Sequence, residues 1–120
     1  MADPLNYGAL APAAAAVRQR LREAVAHEIK VGAAVSEAAD QFRIKGIRGF
    51  PDFCGEVLNI PHPEAMLLVR YATHRPHWAD PTAVDLSDPL AGEVLELATR
   101  HVARRLGMPA DALDPEGDVA

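Results

Sequence analysis

Residues of the types that can bind a metal ion lie close together in the middle of the sequence. They are Cys54, His62, His74, His77 and Asp80. Zinc sites in small proteins are built from pairs of closely spaced ligands at two places in the chain. Only His74 and His77 have such spacing, and Pro76 between them favours an extended backbone. We therefore predict no metal site and no cofactor, and the sequence leaves open whether His62, His74 and His77 bind a metal.

Cys54 is the one cysteine of the chain and the one candidate thiol nucleophile. A reactive thiol needs a neighbouring base and an electropositive setting. Apolar Phe50, Phe53 and Val57 surround it in the sequence, which is typical of a buried thiol that packs as a small hydrophobic side chain. Residues 46–49 lack the length and the ending of a phosphate-binding loop. The sequence thus gives no support for catalysis.

Composition restricts the class of protein. A chain of 120 residues, 49% apolar, predicts one small domain. It contains no apolar run of membrane-spanning length and no basic leader ahead of an apolar stretch. With a single cysteine, these features predict a cytoplasmic protein without a membrane partner. The net charge of −5 argues against a protein that wraps nucleic acid over much of its surface. The excess of arginine over lysine suggests a GC-rich bacterial or phage gene.

The first half of the chain carries the clearest helical pattern. Apolar side chains recur at Val17, Leu21, Val25 and Ile29, and Leu10, Ala14 and Ala24 extend the same stripe. This spacing, after Pro12, predicts an amphipathic helix of about 18 residues. Gly32 interrupts the pattern, and Ser36 is a candidate cap for a second helix. The sequence leaves open whether Gly32 ends the helix or lies inside a longer one.

The second half predicts further helices and a long connection. Residues 43–49 alternate charged and apolar side chains, which favours a loop or a small hairpin. Helices are expected over 51–58 and from Pro63 to Tyr71, the second at the centre of the core. A Pro-rich surface connection is expected over 74–87. Asp88 as cap and Pro89 in the first turn predict a last helix that ends before Gly107.

Together these elements predict an all-α protein. We expect a compact bundle of four to five helices over residues 12–107. Residues 1–11 are expected to form a flexible arm, because Pro4, Asn6 and Gly8 break any helical period. Residues 108–120 are expected to form a disordered acidic tail, because they contain too few apolar residues to pack.

Large side chains in the irregular segments indicate a role in binding other proteins. Candidate interface residues are Leu5, Tyr7 and Leu10 in the arm, and Tyr71, Arg75 and Trp78 near the long connection. Tryptophan, tyrosine and arginine dominate the energetics of protein interfaces. We predict a non-catalytic interaction or assembly subunit that binds a protein partner or a second copy of itself. The equally weighted alternative for Trp78 is that it folds back on the protein's own core.

The alternative function is DNA binding. Residues 35–44 resemble the first helix of a helix-turn-helix, in which two small alanines allow a second helix to cross closely. Arg43, Lys45 and Arg48 would contact phosphates. The following helix carries Asp52 and Glu56, whose charges repel phosphate. The second hypothesis is therefore a small DNA-binding regulator.

Overall fold

The computed structural model describes residues 8–105, and these residues form an all-α protein. The helices are α1 (Ala11–Lys45), α2 (Phe50–Glu56), α3 (His62–His74) and α4 (Pro89–Arg105). Short 3-10 turns occupy residues 8–10, Pro76–Ala79 and Pro81–Ala83. Within residues 8–105 there is no strand, so the all-α prediction is confirmed and the hairpin over 43–49 is wrong.

Helix α1 is one continuous helix of 35 residues, and Gly32 does not end it. Ser36 therefore lies inside α1 and caps no second helix. Gly32 is buried where α1 crosses α3, and a Cβ atom built on it would lie 2.7 Å from the backbone carbonyl carbon of Leu68. The glycine thus allows the backbones of the two helices to touch. This packing offsets the cost of about 1 kcal/mol that a glycine imposes inside a helix.

The C-terminal end of α1 explains why residues 43–49 are not a strand. Gly46 adopts the left-handed conformation with φ of 65°. The N–H of Ile47 donates to the Phe42 carbonyl at 2.9 Å, and that of Gly46 donates to the Arg43 carbonyl at 3.2 Å. These two bonds form a Schellman motif, which satisfies the last carbonyls of a helix. The alternating run is therefore divided between the last turn of α1 and a short loop.

The molecule is elongated, not the expected compact bundle. Its principal extents are 65 × 36 × 19 Å. A helix of 35 residues is about 52 Å long, so α1 accounts for most of the long dimension. Within α1 the first buried side chain is that of Val25, and no side chain over residues 11–24 is buried. The N-terminal part of α1 therefore lies largely outside the packed body.

The packed body forms around the middle of α1. Helix α3 lies along α1 through Gly32, Leu68 and Ala72, and α4 packs against both helices. The fully buried large side chains are Val25, Ile29, Cys54, Leu68, Trp78, Val94 and Leu97. Helix α3 contacts α1, α2, α4 and the turn at Pro76–Ala79, which agrees with its predicted central place. It is not covered on all sides, because Met66 is 41% exposed.

The connection between α3 and α4 is fixed by its own side chains. Trp78 is 1% exposed, and the guanidinium of Arg75 lies 5.5 Å from the centre of its ring. Arg75 Nε donates to Asp88 Oδ2 at 3.1 Å. The other Asp88 oxygen accepts the N–H of Leu90 at 2.9 Å, which confirms the predicted cap of α4. One chain of contacts thus joins the buried tryptophan to the start of α4.

We predict that Gly32→Ala destabilises the protein. Alanine is the better helix former, but its Cβ would meet the Leu68 backbone, which cannot rotate away. Overpacking of this kind costs about 1–3 kcal/mol, which exceeds the gain in helix propensity. The matched control is Gly92→Ala in α4, where an added Cβ has no atom within 4 Å and should stabilise by about 0.5–1 kcal/mol. Urea unfolding would measure both; a stabilised Gly32→Ala would contradict the close packing.

Candidate interaction surface

Exposed and half-buried side chains of α1 and α4, apolar except for Thr99, lie next to one another on one side of the molecule. We call this surface the α1–α4 face and define it by Val17, Leu21, Ala24, Leu95, Ala98, Thr99 and Val102. From Leu21 onwards these residues line a groove of about 350 Å³ between the two helices. Val17 lies one helical turn before Leu21 and is 59% exposed, while Val102 is 46% exposed. Because exposed apolar clusters are common at interaction sites, this face is a candidate for one.

The face belongs to the same apolar stripe that the sequence predicted on α1. The stripe runs from Leu10 to Ile29, but the body covers only its end at Val25 and Ile29. Leu10, Val17 and Leu21 are 57%, 59% and 38% exposed. The chain therefore maintains an apolar helix face beyond the part that its own core uses. None of the described helices has both the length and the apolarity to cross a bilayer.

A buried polar network fixes α4 against the other two long helices. His101 of α4 is 4% exposed and lies between Glu28 of α1 and Glu64 of α3. Its Nδ1 is 3.2 Å from Glu28 Oε2. Its Nε2 is 3.3 Å from Glu64 Oε1 but makes no hydrogen bond with the described residues. Val102, the next residue, points outward from this fixed position.

Arg104 completes the network on the α3 side. Its Nη2 donates to both oxygens of Glu64, at 2.8 and 2.9 Å. Charge-assisted hydrogen bonds in a partly dry setting are stronger than neutral ones. Breaking such a partly buried pair leaves a charge without its partner, which is costly in proportion to its burial. The network thus sets the register of α4, and with it the positions of Ala98 and Val102 in the groove.

The α1 side of the face carries excess positive charge. Residues 11–24 contain Arg18, Arg20, Arg22 and one acid, Glu23, so positive charges exceed negative ones by two. Arg20 pairs with Glu23 at 3.0 Å on the surface. On helical spacing, Arg18 and Arg20 border the apolar stripe on its two sides. Because the whole chain has a net charge of −5, this end of α1 differs in sign from the rest.

The predicted interface residues have different positions. Leu5 and Tyr7 lie outside the described residues, and Leu10 is exposed at the start of the stripe. Tyr71 and Trp78 are 7% and 1% exposed, so each mainly contacts the protein's own core. For Trp78 the structure shows the alternative arrangement, because its ring fills the space beside α1 and under Arg75. Burial, followed by the charge of Glu93, raises the pKa of Tyr71.

The residues that form the groove are not among the interface residues that the sequence predicts. Val17, Leu21 and Ala24 belong to the apolar stripe predicted on α1, and their spacing alone does not indicate a groove. The length of the stripe is the feature of the sequence that could have indicated an exposed apolar face, because a short chain has too small a core to cover a long stripe.

The candidate DNA-contacting residues lie around the C-terminal end of α1. Arg43, Lys45 and Arg48 are exposed, and Arg43 pairs with Asp40 at 3.2 Å. Residues 35–44 are the last part of the continuous α1, so they form no separate first helix of a helix-turn-helix. The helix that follows, α2, has seven residues. DNA binding itself stays a prediction.

The candidate metal ligands are scattered. The rings of His62 and Phe50 pack edge to face with their centres 6.1 Å apart. His74 and His77 are exposed near the C-terminal end of α3. Asp80 accepts hydrogen bonds from the hydroxyl and N–H of Thr82, which lower its pKa. Over residues 8–105, no three histidine, cysteine or acidic side chains are placed to hold a metal ion. In the buried network, the carboxylates lie at opposite nitrogens of His101 and so do not converge.

Cys54 is completely buried, which confirms the prediction that it packs as a hydrophobic side chain. Burial raises the pKa of its thiol above the ordinary value of 9.0. The raised pKa keeps the thiol protonated in the folded state. Its contribution to stability is therefore complete below pH 9.0 and falls as the pH rises towards the folded-state value.

We expect a disulfide reagent to label native Cys54 at least about a hundredfold more slowly than the urea-unfolded chain, because reaction requires opening of the core. The matched control is Val57→Cys, three residues further on and 66% exposed in the native protein, where the new thiol should react at once. Rapid labelling of native Cys54 at neutral pH would contradict its burial.

We also predict that His101→Ala destabilises the protein by about 2–4 kcal/mol, because Glu28 would stay buried without its partner. The matched control is Arg100→Ala, which removes an exposed pair with Glu96 and should change stability by less than about 0.5 kcal/mol. Chemical unfolding of both variants gives the comparison. Similar losses of unfolding free energy in the two variants would show that the network does not hold α4 in place.

Comparison with known proteins adds no relative: no family model, curated protein or solved structure matches this chain. The functional assignment therefore rests on its own residues.

Proposed function

We propose that the protein is a non-catalytic interaction subunit that binds a helix of a partner protein on the α1–α4 face. The observation that carries this proposal is the half-covered stripe of α1. Val25 and Ile29 are buried, whereas Val17 and Leu21 on the same stripe are exposed. An apolar helix face that continues past the core, beside an apolar groove, suits a further helix.

The shape of the face favours a helical partner. A groove between two helices accepts the ridge of a third, with anchors spaced three and four residues apart. Leu21, Ala24 and Ala98 leave a shallow channel of small and medium side chains. A partner helix with leucine-sized anchors could therefore bury them against α1 and α4 together.

The charges favour an acidic partner. Arg18 and Arg20 border the stripe, so acidic residues beside the partner's anchors would lie near them. If two copies of α1 paired through this stripe, arginines would face arginines, and like charges weaken such pairing. The chemistry that fits is an amphipathic helix with an apolar stripe and acidic borders. The proposal therefore names a partner protein alone, whereas the sequence predicted either a protein partner or a second copy of this chain.

Two synthetic peptides test the proposal. Both are about 20 residues long and share one leucine stripe, and they differ only in glutamate or lysine at the bordering positions. We expect the glutamate peptide to bind the full chain at least about tenfold more tightly, with a preference that shrinks at high salt. Fluorescence anisotropy of the labelled peptides measures both affinities.

Substitutions locate the binding site. Leu21→Asp should weaken binding of the glutamate peptide by about tenfold or more, because it places a charge in the groove. The matched control is Ile47→Asp, an exposed apolar residue beyond the other end of α1, which should leave the affinity unchanged. Circular dichroism confirms that both variants stay folded. Equal losses in the two variants, or equal binding of the two peptides, would overturn the proposal.

A further inference from the structure

We propose that the 106–120 segment of this chain folds back onto the α1–α4 face and competes there with the partner helix. This inference rests on the proposed function, because it concerns the regulation of the same face. It is argued from the position at which the described structure ends, from the composition of the segment and from the charge of the face.

The described part of α4 ends beside the face. Val102 lies in the groove, and α4 is described up to Arg105, three residues further on. From Arg105, eight residues of chain reach Leu113 and can span up to about 26 Å. The groove from Leu95 to Val102 is about 10 Å long at the rise of an α-helix. The segment is therefore long enough to reverse direction and reach Leu21.

The composition of the segment complements the face. Its large apolar residues are Leu106, Met108, Leu113 and Val119, and its charged residues are Asp111, Asp114, Glu116 and Asp118. It contains no lysine or arginine. Apolar residues interspersed with acids match an apolar stripe bordered by Arg18 and Arg20. The segment thus has the chemistry that the partner helix was inferred to have.

The segment is also suited to being displaced. Pro109 and Pro115 prevent one continuous helix across it, so it would fill the groove less completely than a full partner helix. Tethering compensates for weak contacts, because a short linker gives an effective concentration in the millimolar range. An intramolecular ligand of this kind covers the face until a better-fitting helix replaces it.

Paramagnetic broadening in the full chain tests the contact. Gly117→Cys introduces a thiol for a nitroxide label and leaves the acids and the apolar residues of the segment intact. Cys54 is completely buried, so the label is directed to the new site. We expect broadening of the methyl signals of Val17 and Leu21 and none at Ile47. Broadening should disappear in a fourfold variant, D111N with D114N, E116Q and D118N.

The glutamate peptide described above gives the second readout. If the segment covers the face in about four of five molecules, the fourfold variant should bind the peptide about fivefold more tightly than the natural chain. Absence of broadening at Val17 and Leu21, or an unchanged affinity in the fourfold variant, would overturn the inference. A control experiment mixes chain that carries the nitroxide with isotope-enriched chain that carries none. If broadening also occurs in this mixture, the segment contacts a second copy of the chain, and the proposed intramolecular contact is overturned.

The two proposals fail in different ways. If the peptide binds and the segment causes no broadening, the face binds partners and the inference about the segment is wrong. If the broadening depends on the acidic residues of the segment, but neither the natural chain nor the fourfold variant binds the peptide, the segment occupies the face and the partner proposal is wrong.

Discussion

The contact between the backbones of α1 and α3 at Gly32 is the constraint on which the other packing depends. Because Gly32 has no side chain, the carbonyl of Leu68 can lie against α1. That approach brings Glu64 of α3 to one side of His101 while Glu28 of α1 lies at the other. The position of α4 is therefore a consequence of how closely the first two helices meet.

Apolar and polar contacts have different tasks in this protein. The core is small, with large buried side chains such as Ile29, Leu68 and Trp78, and burial of this kind does not distinguish closely related positions of a helix. The polar network does, because the contact of His101 Nδ1 with Glu28 and the bonds from Arg104 to Glu64 form only at defined distances. In our interpretation the core stabilises the three-helix body and the network selects the register in which Val102 lies beside α1.

One stripe of α1 serves two purposes along its length. Where α3 and α4 cover it, the stripe contributes to the core; before Val25 it is left uncovered between arginines. The surface of the protein is therefore divided by charge, with a basic apolar end of α1 in a chain of net charge −5. This division supports both the choice of an acidic helix as partner and the proposed competition by the chain's own acidic segment.

Features whose signals are local could be predicted from the amino-acid sequence. Helical spacing and the Asp88 cap placed the helices, and the neighbours of Cys54 predicted its burial, because each depends on residues within a few positions. The tertiary structure alone decided that Gly32 joins two helices instead of ending one, and that Trp78 packs inward. It also decided that His101 lies between two carboxylates and that the start of the stripe stays exposed. Each of these depends on residues far apart in the chain, whose meeting no local pattern of side chains encodes.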